Sequence, residues 1–97
     1  MKAVRFHPDA LLELDEAIAY YETQSPGVGI ELRKQVESAV SKIQQHPLRW
    51  SPFIHGTRRF ILRKFPYSLV YLKMQDHLWL VAVAHHKRRP GYWRERL

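Results

Sequence analysis

The densest run of chemically capable side chains is His85-His86-Lys87-Arg88-Arg89. An imidazole titrates near neutral pH, so either histidine is a candidate to give or take a proton. Neighbouring residues of a strand point to opposite faces, so the two histidines cannot converge on one metal ion, and no obvious carboxylate accompanies them. No metal site and no cofactor is expected. Arg58, Arg59, Arg63 and Lys64 form an earlier basic run, and Arg94 and Arg96 follow the histidines. Together with Lys87, Arg88 and Arg89 they would make one concave basic patch, and arginine's planar fork suits phosphate and carboxylate alike. Tyr92 and Trp93 come directly after Pro90-Gly91. Aromatic rings among arginines either stack on bases or fold back and pin the tail, and pinning is the expectation for Trp93.

The charge is sorted along the chain. Residues 1–48 hold five Lys/Arg against seven Asp/Glu, whereas residues 49–97 hold eleven against two. Such asymmetry points to an anionic partner for the second half, a nucleic acid or an acidic protein. The chain has no cysteine, which excludes a disulfide scaffold, a thiolate metal site and a cysteine nucleophile. Neither a glycine-rich phosphate loop nor a nucleophile elbow is present. The N-terminus lacks an apolar run of signal-peptide length, and the longest apolar run, Leu78 to Ala84, is far short of a membrane span. These features fit a cytoplasmic protein with no membrane partner.

The elements that must position the basic residues follow from periodicity. Lys2 to His7 reads as a short strand. Pro8 opens a helix over residues 8–23, whose apolar stripe is Leu11, Leu14, Ile18 and Tyr21. Ser25-Pro26-Gly27 breaks it. A second helix from Val28 to His46 carries Leu32, Val36, Ala39, Val40 and Ile43 on one face and stops at Pro47. Residues 47–57 read as a loop. Arg58 to Phe65, Tyr67 to Met74 and Leu78 to His86 are rich in β-branched and aromatic residues and read as three strands of an antiparallel meander. The expectation is one α+β domain over residues 1–97, of order β-α-α-β-β-β, with an antiparallel sheet packed on a helical hairpin.

The segment Arg58-Arg59-Phe60-Ile61-Leu62-Arg63-Lys64-Phe65-Pro66-Tyr67-Ser68-Leu69-Val70-Tyr71, followed by Val83-Ala84-His85-His86-Lys87-Arg88-Arg89-Pro90-Gly91-Tyr92-Trp93, resembles the RelE/ParE toxin superfamily. Ala10 through Glu22 and Ser25-Pro26-Gly27-Val28-Gly29 extend the resemblance over nearly the whole chain. It implies a bacterial toxin of a type II toxin–antitoxin pair, closer to the ParE-like branch. The implied partner is a cognate antitoxin that covers the basic surface in a hetero-oligomer, and the implied target is DNA gyrase or the ribosome with its mRNA.

Superfamily members either cut mRNA on the ribosome or inhibit DNA gyrase. Set against the ribonuclease pattern, Arg88 falls where a late arginine sits, Arg59 where a sheet lysine sits, and Tyr92 near a C-terminal tyrosine. Ser68 stands where the ribonucleases carry an arginine, and Ile61 replaces a second basic residue. A serine cannot neutralise the charge of a phosphorane, and losing one preorganised donor costs about 100-fold or more. The resemblance thus implies a gyrase inhibitor rather than an enzyme. Arg58, Arg59, Arg63, Lys87, Arg88, Arg89, Tyr92 and Trp93 are then its target- or antitoxin-binding residues. In the alternative, a ribosome-dependent endoribonuclease, Arg63, His85, Arg88 and Tyr92 are the catalytic candidates.

Overall fold

A computed structural model describes residues 2–97. Strand β1 (Ala3–Phe6) leads into helix α1 (Pro8–Gln24) and helix α2 (Val28–Gln45). Pro8 occupies the first turn of α1, and the Nδ1 of His7 accepts the Asp9 N–H at 3.0 Å as the cap. Ala10, Leu14 and Ala17 are the buried residues of α1, and Gly29, Leu32, Val36, Ala39 and Ile43 those of α2. Both series follow three- and four-residue spacing, so each helix presents one apolar stripe.

The turn between the helices is held by Glu22. Its carboxylate accepts the N–H groups of Gly27 and Gly29 at 2.9 Å and of Ile30 at 3.3 Å, filling the open donors at the start of α2. These backbone donors, Gly27 foremost, lower the pKa of Glu22. Gly27 turns the chain at a φ of 91°, and Gly29 lets the helices touch: a Cβ there would lie 2.4 Å from the Ile18 carbonyl oxygen.

The sheet has five strands in the order β1-β5-β4-β3-β2, where β2 is Ser51–Pro52, β3 Arg58–Ile61, β4 Tyr67–Lys73 and β5 His77–His85. The expected meander β3-β4-β5 is antiparallel. The complete sheet is mixed, which corrects the all-antiparallel expectation. Strand β1 runs parallel to β5, with Ala3 opposite His77 and Phe6 opposite Leu80. A parallel pair needs a long connection, and here the helical hairpin and strands β2, β3 and β4 all lie between the two partners. Residues 51–52, expected in a loop, pair with Arg58 and Arg59 as an edge strand that tolerates Pro52. Strand β3 ends at Ile61 instead of Phe65 because Leu62 and Phe65 turn under the helices and are buried there.

Two apolar layers result. Leu69, Tyr71, Leu78, Leu80 and Val83 face the helices, while Val70, Val81, Ala82 and Trp93 pack on the outer side. The β4–β5 register slips at Val81: Val70 faces Ala82 but Tyr71 faces Leu80. This bulge reverses the inside–outside alternation of β5. No helix among the described residues is long and apolar enough to cross a membrane.

Candidate functional site

The bulge decides where the two histidines go. Beyond it, His85 faces Tyr67 edge-on at 5.0 Å between ring centroids, and its Nδ1 accepts the Lys87 N–H. His86, after the strand end, takes the other side, where its Nε2 lies 2.9 Å from Ser68 Oγ. Ser68 is 4% exposed. The neutral strand residue and the histidine therefore satisfy each other at the base of a pocket of about 190 Å³ on the outer face.

Apolar and aromatic residues form much of this pocket: Phe53, Ile61, Val70, Tyr92 and Trp93. Trp93 is 1% exposed and seals the tail onto the sheet, the pinning role expected of it. This burial takes its ring out of the surface that could contact a target or antitoxin, correcting its place among the binding residues. Arg59, Arg88 and Arg89 add the positive charge. The Arg59 guanidinium lies 4.3 Å over the Phe53 ring, and the Arg88 guanidinium 3.7 Å over Tyr92. Among the described residues, neither Arg59 nor Arg89 forms an ion pair.

The remaining basic residues divide by role. Arg58 donates to the carbonyl oxygens of Leu48 and Trp50, tying the loop before β2 to the sheet. Lys64 pairs with Glu31 at 2.7 Å. Arg63 lies beyond the end of β3 and borders a separate depression with Lys42, Trp50 and Phe60, so it does not join Arg59 and Arg88. Lys87 and Arg94 are exposed.

One residue central to this geometry carried no signal in the sequence. Glu13, on α1, accepts from Arg96 through two bonds of 3.0 Å, one to each carboxylate oxygen. It also accepts the Tyr92 hydroxyl at 2.7 Å and the Val83 N–H at 3.1 Å, and Arg88 approaches to 3.5 Å. Arg96 in turn donates to the Val81 carbonyl oxygen. Strand β1 ends opposite Leu80, so Glu13 and Arg96 satisfy edge groups of β5 that lie beyond it. Burial, reinforced by the hydrogen bond and charge of Glu13, raises the Tyr92 phenol far above its ordinary pKa. For Arg96, burial opposes the charge, but the Glu13 hydrogen bond and charge outweigh it and the pKa rises. The partners are 79 and 83 residues apart in the chain, too far for any local pattern to reveal.

Comparison with known proteins agrees with this architecture. The family described as "ParE toxin of type II toxin-antitoxin system, parDE" matches residues 4–90. A protein of Sinorhizobium fredii described as "Putative toxin Y4kP" is 29% identical over 90 residues, covering 92% of this chain and 94% of the relative. A solved chain of the chromosomal ParDE TA system from P. aeruginosa superposes with a TM-score of 0.78 at 17% identity, covering 88% of this chain and 96% of that one, which shows a shared fold. Together they define the class: a toxin of the RelE/ParE superfamily. Within it, the chain belongs to the ParE toxin family of type II toxin–antitoxin systems.

Proposed function

We propose that this toxin acts by binding DNA gyrase, without covalent chemistry of its own, and that a cognate acidic antitoxin neutralises it by covering the same basic face. On this reading residues 1–97 work as a single domain in the bacterial cytoplasm. The observation that carries it is the Ser68–His86 hydrogen bond of 2.9 Å. At the strand position where an RNA-cutting relative needs a cation, a neutral hydroxyl is committed to a histidine.

The surroundings support binding over cutting. Cleavage of RNA needs a proton-transfer group and charge stabilisation at one phosphate. The Tyr92 hydroxyl donates its hydrogen bond to Glu13 and keeps its proton, since burial and Glu13 raise its pKa, so it does not serve as a base at neutral pH. Arg63 borders a separate depression and does not line the pocket. His85, His86 and Arg88 do line it, with Ser68 engaging His86 and Tyr67 facing His85. The pocket thus combines an apolar lining with the cations Arg59, Arg88 and Arg89, suited to an aromatic or aliphatic anchor beside a carboxylate on a protein partner. The positive face would also speed encounter with an acidic antitoxin.

The test is a supercoiling assay on relaxed plasmid with purified toxin and gyrase. Supercoiling is expected to stop as toxin is added and to recover on addition of the antitoxin. Unchanged supercoiling at a large excess of toxin would refute the gyrase reading.

A further inference from the structure

We propose that Glu13 is the positioning residue of the outer basic face: its single carboxylate, delivered from α1, fixes the Arg88 guanidinium in the orientation a partner meets. The proposal deepens the binding-face reading and rests on Arg88 belonging to that face.

Glu13 itself is firmly held. Its side chain is 15% exposed, beside the buried Ala10, Leu14 and Ala17 of the same helix. The Val83 N–H and the paired bonds from Arg96 fix both carboxylate oxygens. Two planar groups joined by two parallel bonds leave little rotational freedom. The carboxylate is thus a rigid reference point, delivered by a helix and held by a strand edge and by Arg96 of the tail.

Arg88 is oriented from that point in two ways. Its guanidinium approaches a Glu13 oxygen at 3.5 Å, and it lies 3.7 Å over the Tyr92 ring, which is itself held by the hydroxyl bond to Glu13. The Arg88 side chain nevertheless stays 53% exposed. A cation held on one side and open on the other has already lost the rotamer freedom that binding would otherwise cost. Arg89, the next residue, lines the same pocket with no such contact, and so serves as an internal control.

The test combines side-chain NMR with inhibition assays on the full chain. In the wild type, the Arg88 Nε–Hε group should be ordered and that of Arg89 averaged by motion. Equal mobility of the two would overturn the proposal without any variant. In Glu13→Gln, checked by near-ultraviolet circular dichroism for a native Trp93 environment, Arg88 should become mobile while Arg89 stays unchanged. The half-inhibitory concentration against gyrase should rise by up to about tenfold, the cost of ordering one mobile side chain on binding. Arg88→Ala in the Glu13→Gln background should add little, whereas Arg89→Ala should multiply with it. If the Glu13 and Arg88 effects multiply instead, Glu13 merely supports the fold and the proposal fails. If wild-type toxin spares gyrase, the gyrase reading fails, and the same variants are scored by growth arrest on induction, where the same coupling is expected and its absence overturns the positioning role.

Discussion

Ser68 Oγ and His86 Nε2 lie 2.9 Å apart across 18 residues of chain, joining the middle of the sheet to the start of the basic tail. In the binding account this pair organises the pocket and transfers no proton to a substrate. Ser68→Ala should therefore lower stability by about 1 kcal/mol, the usual worth of one such hydrogen bond, and leave growth arrest intact. Urea unfolding and induction in cells check the two halves. Arrest lost with an unchanged unfolding midpoint would mean that the hydroxyl takes part in chemistry.

Gly29 marks where α1 and α2 come closest. The methyl of Gly29→Ala would meet the Ile18 carbonyl oxygen at 2.4 Å and the Glu22 Cβ at 2.9 Å, so the helices must separate and the Glu22 cap must shift. Overpacking of this kind costs about 1–3 kcal/mol, more than the roughly 1 kcal/mol gained in helix propensity. Thermal unfolding should move down by several degrees, and an unchanged midpoint would show that the hairpin yields freely.

Tyr71 makes the fold sensitive to alkali. It is 1% exposed, its hydroxyl donates to the Pro47 carbonyl oxygen at 2.7 Å, and burial raises its pKa to about 12, partly offset by Arg58. The folded state holds this proton more tightly than the unfolded chain, whose tyrosines titrate near 10. Stability from this residue is fully present below about pH 10 and is lost as the pH rises to about 12, by roughly 2–3 kcal/mol. Tyr67 and Tyr92 shift in the same direction, so the quantity to measure is wild type minus Tyr71→Phe in urea melts across that window. A flat difference would contradict the assignment.

The sequence made some of this legible for physical reasons. The helices were readable because Leu14, Leu32, Val36 and Ile43 repeat at helical spacing, and proline stands at both ends of the hairpin. The meander was readable from β-branched and aromatic runs joined by short turns. The pairing of β1 with β5 was not, because a four-residue strand carries no mark of a partner more than 70 residues away. Nor was the bulge at Val81, since Leu78 to Ala84 is apolar throughout and shows no alternation that could slip. That hidden slip decides which of the two faces His85 and His86 each take. In the site, Trp93 could be read as an anchor from its type and setting. Glu13 could not, because acidic residues early in a helix are ordinary and its four partners, Val83, Arg88, Tyr92 and Arg96, are all remote in sequence.

This face either grips a protein or cuts RNA. The most direct measurement runs gyrase supercoiling beside translation-dependent mRNA cleavage on one preparation of toxin, with wild type and Arg88→Ala compared in both. The binding account expects supercoiling to be blocked by wild type, the block to weaken about tenfold in Arg88→Ala, and mRNA to stay whole in every lane. Codon-associated mRNA cuts that vanish in Arg88→Ala, with supercoiling untouched, would contradict it.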